Sequence, residues 1–222
     1  MKRSEINKLI KEAEKFFDKF NFKLPPFANW SIKDWEKNKD KTEEIKKCKL
    51  GWDITDFGSN DFHKIGLLLF TIRNGIINDK KYIKPYAEKI MIVEPEQVTP
   101  LHFHWSKMED IINRGGGNLI IELYNSAKDE SLLKTPVTVV CDGITKKIES
   151  GGKICLKPGE SITLVQKLYH KFWGEPGKDK VIVGEVSTVN DDSIDNRFYE
   201  KCGRFPKIIE DEPPYHLLIS DY

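Results

Sequence analysis

Apolar side chains in the first twenty positions recur three and four apart, at Ile6, Leu9, Ile10, Ala13, Phe16, Phe17 and Phe20. That spacing lines one face of a helix, so the chain is expected to open with an amphipathic helix over 4–20, with Ser4 as its N-cap. Pro25-Pro26 ends the element, since proline lacks the donor a helix interior needs. Ser31-Ile32-Lys33-Asp34 has the form of a second helix start, with an acidic residue three places after a serine. The Lys/Glu run over 36–49 reads as a solvated helix face.

After about residue 50 the pattern changes. Short runs rich in Ile, Val, Leu and Phe recur between Gly, Pro, Asn and Asp, at 64–72, 89–94, 98–104, 118–124, 136–141, 161–166 and 181–188, and these are expected to be strands. Asp142-Gly143 has the form of a two-residue hairpin turn, and Gly151-Gly152 and Pro158-Gly159 mark further turns. No helical period of comparable length separates the strands, which disfavours a parallel α/β sheet and predicts an antiparallel sandwich or barrel. No internal repeat, low-complexity tract or flexible linker interrupts it. The expected organisation is one domain over 1–222, with 1–50 a helical extension packed on the β body.

Composition narrows the function. Thirty-six basic and 35 acidic residues leave a net charge of +1, and lysines alternate with glutamates, so nucleic acid is not an expected partner. The longest apolar run, 65–72, is far short of the roughly 20 residues of a membrane span, and the first residues carry mixed charge rather than an apolar leader. A cytoplasmic protein with no membrane partner is expected. Cys48, Cys141, Cys155 and Cys202 stand far apart without a CxxC pair, which suits free thiols in a reducing compartment rather than structural zinc.

The chemistry concentrates in a chain of only five histidines. In Leu101-His102-Phe103-His104-Trp105 the two imidazoles are two apart, so a strand projects both on one face and Phe103 on the other. Glu109 follows at a distance that lets the chain turn and bring a carboxylate beside the pair. A fourth ligand can come from any neighbouring strand, and His170, just after a strand-like segment, is the best candidate. Three nitrogens and one carboxylate oxygen would leave open positions on a divalent ion, which implies catalysis rather than a closed structural site. His63 and His216 read as structural or surface residues.

The spacing His102-x-His104-x4-Glu109-x6-Gly116, followed by Gly152-x5-Pro158 and His170, resembles the two blocks of cupin metal sites. Glu96 stands where the first block normally has glycine, and the interval to His170 is longer than usual. Within that fold, Thr99 to Asp110, Gly184 to Asp192 and Asp195-Asn196-Arg197-Phe198 resemble the D-lyxose isomerase family, from about residue 20 onward. The resemblance implies a mainly β, cupin-type antiparallel barrel or jelly roll with N-terminal helices. It also implies conversion of D-lyxose to D-xylulose, and of D-mannose to D-fructose, through a cis-enediolate.

Manganese is the usual ion of the family; Co, Fe, Ni or Zn would also suit the metal ligands His102, His104, Glu109 and His170. Glu185, flanked by apolar strand neighbours, and Lys107, between two ligands, are the candidate catalytic groups, with the choice of base open between them. Lys89 matches a family lysine that lines the pocket. Asp195 and Arg197 either bind sugar hydroxyls or form an ion pair, with sugar contact favoured for Asp195. Phe103, Trp105, Trp173 and Phe198 are candidate walls for the apolar face of a sugar. The expected partner is a small sugar, in a homodimeric enzyme. A cupin phosphosugar isomerase, a non-haem iron dioxygenase and a non-catalytic sugar-binding cupin are the alternatives.

Overall fold

The computed structural model describes residues 1–189, 191–203 and 207–222; Asn190, within one of the resembling segments, lies outside them. Helix α1 (Arg3–Lys19) and the short helices α2 (Ile32–Lys37) and α3 (Glu43–Lys47) precede the β body. Ser4 does not cap α1. Lys2 occupies the N-cap without a side-chain bond, while the Ser4 hydroxyl donates to Asp211 Oδ2 at 2.7 Å, because the C-terminal tail runs beside the first turn and supplies the acceptor. At α2 the expected capping box is present, with Ser31 and Asp34 exchanging side-chain and backbone bonds.

Strands β1 (Gly51–Thr55), β2 (Leu67–Arg73), β3 (Tyr86–Val93), β4 (Thr99–His104), β5 (Glu109–Gly116), β6 (Leu119–Asn125), β7 (Val137–Cys141) and β8 (Ile144–Ile148) come first. After them come β9 (Lys153–Leu156), β10 (Ser161–Leu164), β11 (Leu168–Gly174) and β12 (Val181–Thr188), then one helical turn, α4 (Asp192–Asp195), and β13 (Asn196–Phe198). All seven expected strands are present within a few residues. Beyond them the structure adds β1, β5, β9 and β13, completes β8 after the hairpin turn, and puts His170 inside β11.

The strands form two antiparallel sheets, one in the order β1-β2-β3-β12-β5-β10-β7-β8 and one in the order β13-β4-β11-β6-β9. Between them lies one apolar core to which both contribute, with Met91, Ile111 and Val183 from the first and Leu119, Leu123 and Phe172 from the second. This is the expected mainly β, cupin-type body. Helix α1 covers the outer face of the first sheet, burying Ile6, Ile10 and Phe17 against Trp52, Phe70, Ile90 and Ile92. Among the described residues no helix is long and apolar enough to cross a membrane.

Strand alternation separates the two cores. On β3 and β12, Ile90, Ile92 and Ile182 face the helix, while Met91, Val93, Val181 and Val183 face inward. The inward rows continue into Lys89 and Glu185, which are register partners. Both are therefore forced into the interior.

Candidate active site

At one end of the interior the apolar core gives way to a cavity of about 240 Å³. His102 and His104 reach it from β4 and His170 from β11, where it pairs directly with His102 across the ladder. Their ligand atoms lie within 4.8 Å of one another, and all three residues are buried. Glu109 enters from the opposite sheet at the start of β5, so its carboxylate comes across the barrel rather than back along one hairpin. Its Oε1 is 3.2 Å from Nε2 of both His104 and His170.

Two of the imidazoles are oriented by the backbone. His102 Nδ1 lies 2.7 Å from the Pro100 carbonyl and His170 Nδ1 3.0 Å from that of Leu168, and carbonyls only accept. Each ring thus carries its proton on Nδ1 and turns the Nε2 lone pair into the cavity, the arrangement of a metal-ligating histidine. Burial, with His170 and His104 nearby, holds His102 well below the usual imidazole pKa. Burial and Lys107 lower His104. Neutral imidazole is the form that binds a cation.

Glu109 Oε1 is buried without a hydrogen-bond partner and faces the Nε2 atoms. The lone pair of His170 Nε2, whose ring proton sits on Nδ1, points at an anionic oxygen, a repulsion that a cation between them relieves. The donor set therefore fits a divalent metal ion.

From these ligands a ladder of alternating charge runs along the cavity wall. Glu109 Oε2 is 2.7 Å from Lys107 Nζ, which lies 2.9 Å from Glu185 Oε1. Lys89 Nζ is 3.4 Å from the same Glu185 oxygen and 2.8 Å from Asp192 Oδ2. Burial opposes the charge on each lysine, but Glu109 and Glu185 outweigh it at Lys107, and Asp192 and Glu185 at Lys89, holding both above the usual ammonium pKa. Burial likewise opposes ionisation of Glu109, yet Lys107 and His104 keep it well below the usual carboxylate range.

Lys89, Lys107, Glu185 and the four candidate ligands all line the cavity, as does Phe198. Five other expected contacts do not. Phe103 lies on the opposite face of β4 from His102 and His104, and Trp105, just past the end of the strand, packs on it at 4.7 Å. Trp173 alternates away from Phe172, which lines the cavity in its place, and Lys153 and Lys171 stand over its ring. Arg197 donates to Glu130 and to the Phe198 carbonyl.

Asp195, expected against the sugar, is buried beside the cavity with both carboxylate oxygens accepting from Ser106 and Lys107. Of the expected aromatic walls Phe198 is the one in place, 5.3 Å from the His102 ring, with Phe57 at 5.6 Å beyond it. The sequence reading also missed Asp53 and Asp192, which line the cavity. Trp52-Asp53-Ile54-Thr55 does carry an alternation in which the polar residues share the inward face.

The model of the D-lyxose isomerase family matches residues 1–222, so the resemblance begins at the first residue rather than near residue 20. A D-lyxose/D-mannose isomerase from Serratia proteamaculans is 51% identical over 223 residues, covering 100% of this chain and 98% of the relative. Its namesake from Escherichia coli O157:H7 is 50% identical over the same shares. Among solved structures, the ligand-free L-ribose isomerase of Cellulomonas parahominis superposes with a TM-score of 0.62 at 16% identity, over 94% of this chain and 98% of the other. The L-ribose isomerase of Acinetobacter sp. DL28 in complex with L-ribose gives a TM-score of 0.58 at 16% identity, over 90% and 93%; at such identity the likeness is one of fold. The family model and the two relatives at half identity agree along the full chain, and the chain belongs to the D-lyxose isomerase family.

Proposed function

We propose that the chain is an aldose-ketose isomerase that interconverts D-lyxose and D-xylulose, and D-mannose and D-fructose, with the 222 residues acting as one catalytic domain. The observation that carries this reading is the buried run from the three imidazoles through Glu109 and Lys107 to Glu185, all facing one cavity. The names of the relatives supply the substrates.

His102, His104, His170 and Glu109 would hold the metal, with manganese the ion proposed. When bound, the cation supplies Lewis-acid polarisation of the sugar's C1 and C2 oxygens, which acidifies the proton on C2. Glu185 is the proposed base that takes this proton and returns it to C1 on the same face, giving a cis-enediolate between the two transfers, while the hydroxyl proton of O2 passes to O1 to complete the ketose. Lys107 donates a hydrogen bond to the oxygen on which negative charge develops and keeps Glu185 aimed at the carbon. Lys89 holds the other side of Glu185 and offers hydrogen bonds to the sugar chain. Phe198 and Phe57 give its C–H groups an apolar wall and exclude water.

A free sugar fits better than a sugar phosphate. The described lining residues include two lysines and no arginine, and both lysines already hold two carboxylates each. A homodimer in the cytoplasm completes the proposal; the four free cysteines suit a reducing compartment. The test is ketose formation from D-lyxose, D-mannose and their phosphates, with manganese added and after chelation. Turnover of the free sugars that chelation abolishes and manganese restores is expected. Turnover confined to the phosphates, or unchanged by chelation, overturns the reading.

A further inference from the structure

The stretch Trp105-Ser106-Lys107-Met108 links two of the proposed metal ligands, His104 and Glu109, and carries Lys107 between them. It belongs to no strand, so something else must hold it. Asp195 does. Its Oδ1 accepts from the Ser106 amide at 2.8 Å and the Ser106 hydroxyl at 2.6 Å, and its Oδ2 from the Lys107 amide at 3.1 Å. Its own carbonyl accepts from the Trp105 amide at 3.1 Å. One buried residue thus secures three consecutive amides of this link. The carboxylate is 3.8 Å from His104 Nδ1, too far for a hydrogen bond, so its grip is on the main chain rather than on the imidazole.

Asp195 ends the single turn α4, whose first residue, Asp192, holds the Lys89 ammonium at 2.8 Å. Residues three apart on a turn thus fix the two lysines on either side of Glu185, Lys89 by its ammonium and Lys107 by its backbone.

We propose that Asp195 is a positioning residue: its carboxylate clamps the backbone of Ser106 and Lys107 so that the Lys107 ammonium sits between Glu109 and Glu185 for proton transfer. This rests on the isomerase reading above. Asp195 does not line the cavity and spends its carboxylate on the link, so the cost of losing it falls on the chemical step. A reacting group displaced by about 1 Å costs on the order of 10²-fold in rate.

The test compares wild type with Asp195→Asn, in which an amide N–H₂ confronts the donors of the link, and with Ser106→Ala, which removes one bond and leaves the carboxylate. Each is measured with manganese for kcat and KM on D-lyxose, for metal bound per chain, and for the isotope effect with D-lyxose deuterated at C2. For Asp195→Asn the expected result is kcat down about 10- to 100-fold, KM within about twofold, one metal per chain, and a larger isotope effect. Ser106→Ala shifts the same way by a smaller factor, and serves as the test should Asp195→Asn not fold. A raised KM with kcat preserved makes Asp195 a sugar contact and overturns the proposal. So does loss of activity in proportion to lost metal, or variants indistinguishable from wild type. A wild type that isomerises neither sugar overturns the functional reading itself, and this inference with it.

Discussion

Glu185 and Lys107 share one buried contact, yet removing each has a different consequence for the folded protein. Replacing Glu185 with Gln leaves Lys107 with Glu109 at 2.7 Å and Lys89 with Asp192 at 2.8 Å, so neither lysine becomes an unpaired buried charge. Stability should change by no more than about 1 kcal/mol, while isomerisation falls by about 10²- to 10⁴-fold because the proton acceptor is gone. Denaturation curves and turnover per bound metal check both. Lys107→Met instead leaves Glu109 and Glu185 without their common cation. The metal-free variant should lose about 3–5 kcal/mol, read from urea unfolding. Equal stability of the two variants would mean that the ladder carries no such charge balance. At this scale the sequence was informative wherever a period fixed direction. The two-residue spacing put His102 and His104 on one face, and the same rule sends Phe103 and Trp173 away from the cavity that they were expected to line. Asp195 was expected at the sugar, but its hold on the Ser106–Lys107 link was beyond reach, because most of its partners there are backbone amides nearly ninety residues away, and amides leave no mark in a sequence.

Strands that carry chemistry are the ones a hydrophobic pattern overlooks. Alternate positions of β5, from Glu109 through Ile111 and Asn113 to Gly115, are buried, but only one of these four is apolar. β1 likewise turns Asp53 inward, and β11 turns His170 inward. Functional polarity on the interior face erases the alternation that marks an ordinary half-buried strand. Gly116, which the sequence places in the resembling metal-site spacing, has with its neighbours Gly115 and Gly117 a separate task at the far end of β5. There the register against β12 shifts between Ile182 and Val183. The buried Asn113 amide group donates to the carbonyls of Gly117 and Leu156, closing the irregular turn. Gly116 has φ +93°, and a Cβ there would stand 2.0 Å from the Lys180 carbonyl oxygen. Gly177 has φ +74° with nothing within 4 Å of its would-be Cβ. Gly177→Ala should therefore cost about 1 kcal/mol of backbone strain alone. Gly116→Ala should cost at least about 2 kcal/mol more, lowering Tm by an additional ~4–8 °C. Similar melting temperatures for the two variants would show that β12 yields to the added methyl group.

The molecule as a whole is closed by its ends. The tail after residue 206 pairs Ile209 with Lys2 and Leu218 with Trp52, and stacks Tyr222 on Trp35 at 4.6 Å. It thereby ties α1, α2 and the open edge of β1 into one unit around the outer core. Arg3 is the knot. Its side chain is 2% exposed, with Nε and NH2 on Glu210 at 2.9 and 2.7 Å, and NH1 and NH2 on Asp221 at 3.0 and 2.9 Å. Met has a comparable apolar stem but no donors, so Arg3→Met tests the charge rather than the packing. Glu210 is half exposed and regains water when the pair is lost, which holds the expected cost at neutral pH to about 1–3 kcal/mol, below that of breaking a fully buried pair. The pH dependence has a definite sign. The hydrogen bond from Arg3 holds the Glu210 carboxyl below its usual range, so its folded pKa lies under the unfolded one, near ~4.3. The stabilisation is complete above that value and disappears as the pH falls through the folded pKa. Unfolding free energies of wild type and Arg3→Met should accordingly differ most near neutrality and draw closer below about pH 4. A gap that persists unchanged into acid would mean that Arg3 acts through Asp221 and its own packing, with Glu210 contributing nothing.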